Sequence, residues 1–186
     1  LAGPVVAAAL VFDRPFLEAE QYGLLQDVND SKSLSESRRD ALFDLLTSSL
    51  PCLYGVGVAS VEEIDDLNIL RATHLAMARA LTALTPPPDF ALVDGLPVPG
   101  LPCLSRAIVR GDSRSLSIAA ASIIAKVTRD RMMLQLDCQY PGYQFARHKG
   151  YGTQLHMQAL LELGPSPIHR RSFRPVREAM RLRASG

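Results

Sequence analysis

Residues 117–127 of this chain read Ser-Ile-Ala-Ala-Ala-Ser-Ile-Ile-Ala-Lys-Val, and they leave little choice of architecture. Ala119, Ala120, Ala121 and Ala125 form helix readily and add almost no bulk, while Ile118, Ile123, Ile124 and Val127 give one strongly apolar face. Such a helix can pack closely against a sheet. One long helix is therefore expected from Ser115 to about Cys138, ended by Tyr140-Pro141-Gly142.

The remainder supplies the sheet. Residues 4–12 are β-rich and nearly all apolar, a buried strand that Pro15 ends. Residues 53–59, 90–94 and 103–109 read as further strands, the last two joined by a Pro/Gly-rich turn. Helices are expected over 33–50, with Ser33 and Glu36 at capping-box spacing, and over 68–84, where Leu70, Met77, Leu81 and Leu84 form a core stripe. His74 on that second helix reads as a packing or surface residue. Ser60 and Glu63 cap a short helical turn between them. Thr153 opens a helix to Leu163 with Gly164 just beyond its end, and Pro175 opens the last one, to about Arg183. Strands alternating with helices make an α/β protein.

The net charge of +1 argues nothing, but its distribution does. Residues 1–125 hold 9 Lys/Arg against 15 Asp/Glu, and residues 126–186 hold 11 against 4. A basic final third suits a protein that grips phosphates, and equally a solvated basic helix. Cys52, Cys103 and Cys138 have no metal spacing and read as reduced thiols in or near the core. No apolar run reaches membrane-spanning length.

Two carboxylates flank breaks in this pattern. Asp94 ends the apolar run Phe90-Ala91-Leu92-Val93 and precedes Gly95; Asp112 follows Gly111 just before the long helix. On the dipeptide alone Asp94 could simply start a turn, and Asp112 could sit near a helix N-terminus. A carboxylate closing a buried strand also suits a metal ion. Downstream, His148-Lys149-Gly150-Tyr151-Gly152-Thr153 is a basic, glycine-flanked loop that could pack or could meet a polyanion.

Taken in order, Asn29-Asp30-Ser31-Lys32-Ser33-Leu34-Ser35, Leu92-Val93-Asp94-Gly95, Gly111-Asp112-Ser113-Arg114-Ser115, residues 119–127, His148-Lys149-Gly150-Tyr151 and Pro167-Ile168-His169-Arg170-Arg171-Ser172-Phe173 resemble the ribonuclease HII (type 2 ribonuclease H) family over nearly the whole chain. The resemblance implies a ribonuclease H-like mixed sheet flanked by helices. Residues 1–138 would be the catalytic domain and 139–186 a basic, mostly helical substrate-binding extension. It implies an endoribonuclease that hydrolyses the RNA strand of RNA–DNA hybrids and cuts at single ribonucleotides in duplex DNA, using two Mg²⁺ or Mn²⁺ ions. Such a protein would be a cytoplasmic monomer serving DNA replication and repair.

By the same resemblance Asp94 and Asp112 are catalytic metal ligands and Tyr151 lies beside the 2′-hydroxyl. Lys32 would contact phosphate; His148, Lys149, His169, Arg170 and Arg171 read as phosphate-side groups or, each singly, as a solvated basic loop, and Ser113, Ser115 and Thr153 could donate to phosphates. Ser33 replaces the family's usual second lysine. The family's first strand ends in an Asp-Glu pair followed by a Gly-Arg-Gly turn, whereas this sequence begins at Leu1-Ala2-Gly3-Pro4-Val5. The expectation is an N-terminally incomplete member, inactive as written, with a catalytically dead hybrid-binding remnant as the alternative. An unrelated small-molecule α/β enzyme would leave the basic final third unexplained.

Overall fold

The computed structural model describes residues 1–19, 25, 28 and 34–184. Along the chain run β1 (Val5–Phe12), α1 (Arg14–Ala19), α2 (Glu36–Ser48), β2 (Cys52–Ala59), α3 (Val61–Leu67), α4 (Ile69–Thr82), β3 (Phe90–Asp94), β4 (Leu104–Ile108), a 3₁₀ turn (Gly111–Ser113), α5 (Leu116–Gln139), α6 (Phe145–His148), α7 (Gln154–Leu163) and α8 (Arg174–Ala184). The α/β alternation is the expected one. Among the described residues the strands pair two by two, β1 with β2 and β3 with β4. β3 and β4 run parallel, in register from Phe90 opposite Leu104 to Asp94 opposite Ile108.

The chain packs as two compact units. The first comprises Val6–Val58 and Thr73–Val127. Its core gathers Leu10, Phe12, Leu42, Leu46, Ile123 and Ile124, with Ala119 and Ala120 wholly buried. The alanines do there what their size suggested: they leave room for close packing. Each fully buried Leu or Ile contributes about 1.5–3 kcal/mol relative to exposure. A cavity of about 500 Å³ in this unit is lined by all of Val6 to Phe12 and all of β3, together with Met77, Leu81, Ile118 and Ser122. Successive strand residues point to opposite faces, so a wall made of every residue is a strand edge.

The second unit comprises Leu1–Val5, Ala59–Ala72 and Thr128–Gly186. One cluster buries Ala2, Met133, Tyr143, Phe145 and Ala159; another buries Leu160, Val176 and Ala179 under Phe173. Ser60 and Glu63 form the expected reciprocal cap on α3. Thr153 caps α7 by accepting the His156 N–H, and Gly164 ends that helix at φ 80°.

Several expectations move. The helix expected from 33 begins at Glu36, and its cap is Ser35, whose extended backbone lets Oγ accept the Arg38 N–H at 3.3 Å. Ser33 lies outside the described residues. Pro15 does end β1, but it also sits in the first turn of α1, where its missing N–H removes no helical bond. β3 buries only Ala91 and Val93, while Phe90 and Leu92 are about half exposed. Cys138 is exposed rather than in or near the core, because it lies on the outward side of α5 near its end; Cys52 and Cys103 are half-buried. Among the described residues no helix is long and apolar enough to cross a membrane.

Candidate functional site

In the first unit the backbone beside Asp112 is bonded to Asp94. Asp94, the last residue of β3, accepts the Gly111 N–H on Oδ1 at 2.7 Å. Gly111 opens the 3₁₀ turn that bears Asp112. The approach is close: a Cβ at Gly111 would fall 2.6 Å from Ile118 Cδ1 and 3.3 Å from Asp94 Oδ1, so both side chains would have to shift. The preceding residue, Arg110, is left-handed at φ 55°. For a non-glycine residue that costs of order 1 kcal/mol, and such residues cluster at functional turns. Asp94 is exposed and Asp112 half-buried. β3 is covered on one face only, so the strand is not the buried one expected and its terminal carboxylate stays wet.

Oxygen ligands on a strand end suit a hard divalent cation. Among the described residues no three His, Cys, Asp or Glu side chains converge as a metal cage. The pair alone fits an ion that keeps most of its waters and takes further oxygens from a substrate. Ser113 is exposed beside Asp112, and its hydroxyl donates to the Arg110 carbonyl at 3.0 Å.

In the second unit the loop from His148 to Thr153 is built on buried parts. Lys149 is left-handed at φ 49° and Gly150 at φ 79°. A Cβ on Gly150 would sit 2.5 Å from the Ala2 carbonyl oxygen, so the loop backbone lies directly on the chain near Ala2. Tyr151 is 55% exposed, yet its backbone is fixed at both ends. Its N–H donates to the His148 carbonyl at 2.8 Å, and its own carbonyl accepts from Thr153 N–H and His156 Nδ1, each at 2.9 Å. The Arg129 guanidinium stands 5.2 Å from the Tyr151 ring centroid, and its Nη1 donates to the Lys149 carbonyl at 2.9 Å.

Two residues expected on phosphates have other work. His148 is buried, with Nε2 on the Tyr143 carbonyl at 2.8 Å and Nδ1 accepting the Gly150 N–H at 3.2 Å. Arg170 is buried too, donating through Nε to Gly3 O at 2.9 Å and through Nη2 to Pro4 O at 3.2 Å. Burial, and secondarily the nearby Arg129 charge, lower the Arg170 pKa to about 10. His169 is wholly buried as well. All three are enclosed and hydrogen-bonded within the second unit rather than held out to solvent. Lys149 and Arg171 remain accessible, the first half-buried with Nζ on the Ala146 carbonyl, the second exposed. Lys32 lies outside the described residues.

Sequence reasoning missed three supports. Arg129 reaches Pro4, Ala2 and Lys149 carbonyls from α5. Asp65 accepts the backbone N–H of both Arg171 and Ser172 at 2.8 Å. His156 joins the loop to the interior. A His three residues after a capping Thr, on the apolar stripe of α7, was the one available signal.

The sequence profile of the family described as Ribonuclease HII matches residues 1–176. A ribonuclease HII of Geobacter sulfurreducens is 56% identical over 179 residues, which cover 96% of this chain and 78% of that protein. One from Ruegeria pomeroyi is 51% identical over 181 residues, 97% and 74% of the two chains. The crystal structure of the ribonuclease H2 from Pyrococcus horikoshii superposes with a TM-score of 0.75 at 26% identity, over 99% of this chain and 95% of that one. The expected ribonuclease H-like fold is therefore the fold found, and the chain belongs to the ribonuclease HII family.

Proposed function

We propose that the protein is an endoribonuclease that hydrolyses the RNA strand of RNA–DNA hybrids and cuts at single ribonucleotides embedded in duplex DNA. The observation that carries this reading is the Asp94–Gly111 hydrogen bond, which keeps two carboxylates at one strand end. Family membership supports the reaction class, and the basic final third supports a polyanionic substrate. Asp94 and Asp112 would hold two Mg²⁺ or Mn²⁺ ions. When bound, such ions neutralise phosphate charge and lower the pKa of a coordinated water.

The chain's own groups supply position and selectivity. Tyr151 presents an exposed ring and hydroxyl to the ribose, where the 2′-hydroxyl distinguishes RNA from DNA. Ser113 and Lys149, with Lys32 on the family resemblance, donate to phosphates and set register without reading the sugar. Residues 1–138 would carry the carboxylates, and 139–186 would grip the duplex. The protein would act as a cytoplasmic monomer.

The test is Asp94→Asn, which keeps shape and removes the charge. Cleavage should vanish while hybrid binding persists, and Asp112→Asn should act in the same direction. Retention of more than roughly a tenth of the rate, about 1.4 kcal/mol of barrier, would sink the assignment of Asp94. Hybrid binding with no cleavage in the unsubstituted protein would favour a hybrid-binding module instead.

A further inference from the structure

Three buried histidines, His148, His156 and His169, lie beneath the Tyr151 loop. Their rings do not converge on a point as metal ligands would, and no metal-competent group includes them among the described residues. His148 and His156 stack at 4.2 Å between centroids, with the Phe145 ring edge-on to both. His156 Nε2 and His169 Nε2 are 3.0 Å apart.

The protons in this cluster follow from two backbone N–H groups. The Ser166 N–H donates to His169 Nδ1 at 2.9 Å, and the Ser166 hydroxyl lies 2.8 Å from the same nitrogen. A backbone N–H can only donate, so His169 Nδ1 carries a lone pair and the ring proton sits on Nε2. That proton points at His156 Nε2, which must then accept. The His156 proton is left on Nδ1, where it meets the Tyr151 carbonyl at 2.9 Å. Independently, the Gly150 N–H fixes a lone pair on His148 Nδ1 and a proton on Nε2, which the Tyr143 carbonyl accepts. A proton added to either His156 or His169 would set two donors face to face. Burial opposes it as well, holding both pKa values at about 4.

We propose that His169 and His156 form a fixed-tautomer relay, anchored on the Ser166 N–H, that sets the position of Tyr151 for ribose recognition. His156 is a positioning residue for Tyr151, and His169 acts through it. The inference rests on the reading of Tyr151 as the group facing the 2′-hydroxyl. An apolar residue at 156 would fill the same space and leave the carbonyl without its side-chain donor. Fixing the Tyr151 backbone from inside lets the ring stay exposed to substrate yet arrive at one place.

The relay is tested first without any variant or turnover. Long-range ¹H–¹⁵N correlation of the histidine rings near neutral pH should show His156 protonated on Nδ1 and His148 and His169 on Nε2. The opposite or an averaged tautomer at His156 overturns the relay. The second arm compares affinity for a duplex carrying one ribonucleotide with that for the same all-DNA duplex, without metal to prevent cleavage. His156→Leu should reduce the preference for the ribonucleotide about tenfold, the scale of one lost hydrogen bond, and leave all-DNA affinity unchanged. His156→Asn places an amide N–H where Nδ1–H stood and should restore most of the preference. A preference that survives His156→Leu overturns the positioning role. No preference in the unsubstituted protein overturns the reading of Tyr151, and this inference with it.

Discussion

Asp94 and Tyr151 both expose a side chain to solvent, and they are held in opposite ways. Asp94 is tethered by a backbone N–H from Gly111, and its carboxylate stays in water. Tyr151 has its N–H and carbonyl tied to His148, Thr153 and His156, with buried rings beneath. The difference follows from charge. Enclosing a carboxylate proposed to hold a cation would favour its protonated form, so it is better left hydrated. A neutral ring proposed to read one hydroxyl gains from a rigid support, and a bonded buried network supplies one at low dielectric.

The largest effect that would sharpen this contrast is acid. Folded His156 and His169 titrate near 4 against an ordinary 6.5. Between those values the unfolded chain binds protons that the folded chain refuses. The contribution of these two histidines to stability therefore falls as pH drops from 6.5 towards 4 and is constant above that window. The slope reaches about 1.4 kcal/mol per pH unit for each histidine kept neutral. In hydrogen exchange, amides around Tyr151 and His156 should lose protection across that range before those around Ile123. Loss that begins at Ile123 would break the contrast.

Much of the first region could be read from the sequence because its determinants are local. Ala119, Ala120, Ile123 and Ile124 show their packing role in composition alone, and all four are wholly buried. Asp94 and Asp112 stand at the ends of periodic segments, where a break is visible. The second region was legible in its caps, Ser60 with Glu63 and Thr153 with His156, which act over three residues. It was not legible in its supports. Arg129 to Ala2, Arg170 to Gly3 and Asp65 to Ser172 span more than a hundred residues, and no periodicity records them. The same basic composition that suggested phosphate binding by His148 and Arg170 served internal hydrogen bonding, because burial and exposure leave the same letters.

The next effect concerns Tyr151 directly. Tyr151→Ala removes what the network positions and should slow cleavage at a single embedded ribonucleotide roughly a hundredfold, the cost of about 1 Å of misplacement. Binding should weaken less. Tyr151→Phe keeps the ring near the Arg129 guanidinium and loses only the hydroxyl, so its loss should be about one hydrogen bond, 0.5–1.5 kcal/mol. Steady-state cleavage of duplexes with one and with four consecutive ribonucleotides separates the two variants. Equal rates for wild type and Tyr151→Ala on both would make Tyr151 a packing residue, and its elaborate support would need another purpose.

The smallest effect is at Lys149, which shares the loop but not the job. Its ammonium already donates to the Ala146 carbonyl, and its own carbonyl accepts from Arg129. An ammonium has three donors, so it can serve a phosphate oxygen as well as a carbonyl. A phosphate contact carries no information about the sugar. Lys149→Ala should therefore weaken single-ribonucleotide and all-DNA duplexes by the same factor. It should also flatten the plot of log affinity against log salt by at most about 0.9, the value for one phosphate on B-form DNA. Fluorescence anisotropy on the two duplexes across a salt series measures both quantities. Unequal weakening would place Lys149 with Tyr151 among the groups that read the sugar. An unchanged slope would leave it a cap on α6, since its backbone N–H closes that helix onto the Phe145 carbonyl at 2.7 Å.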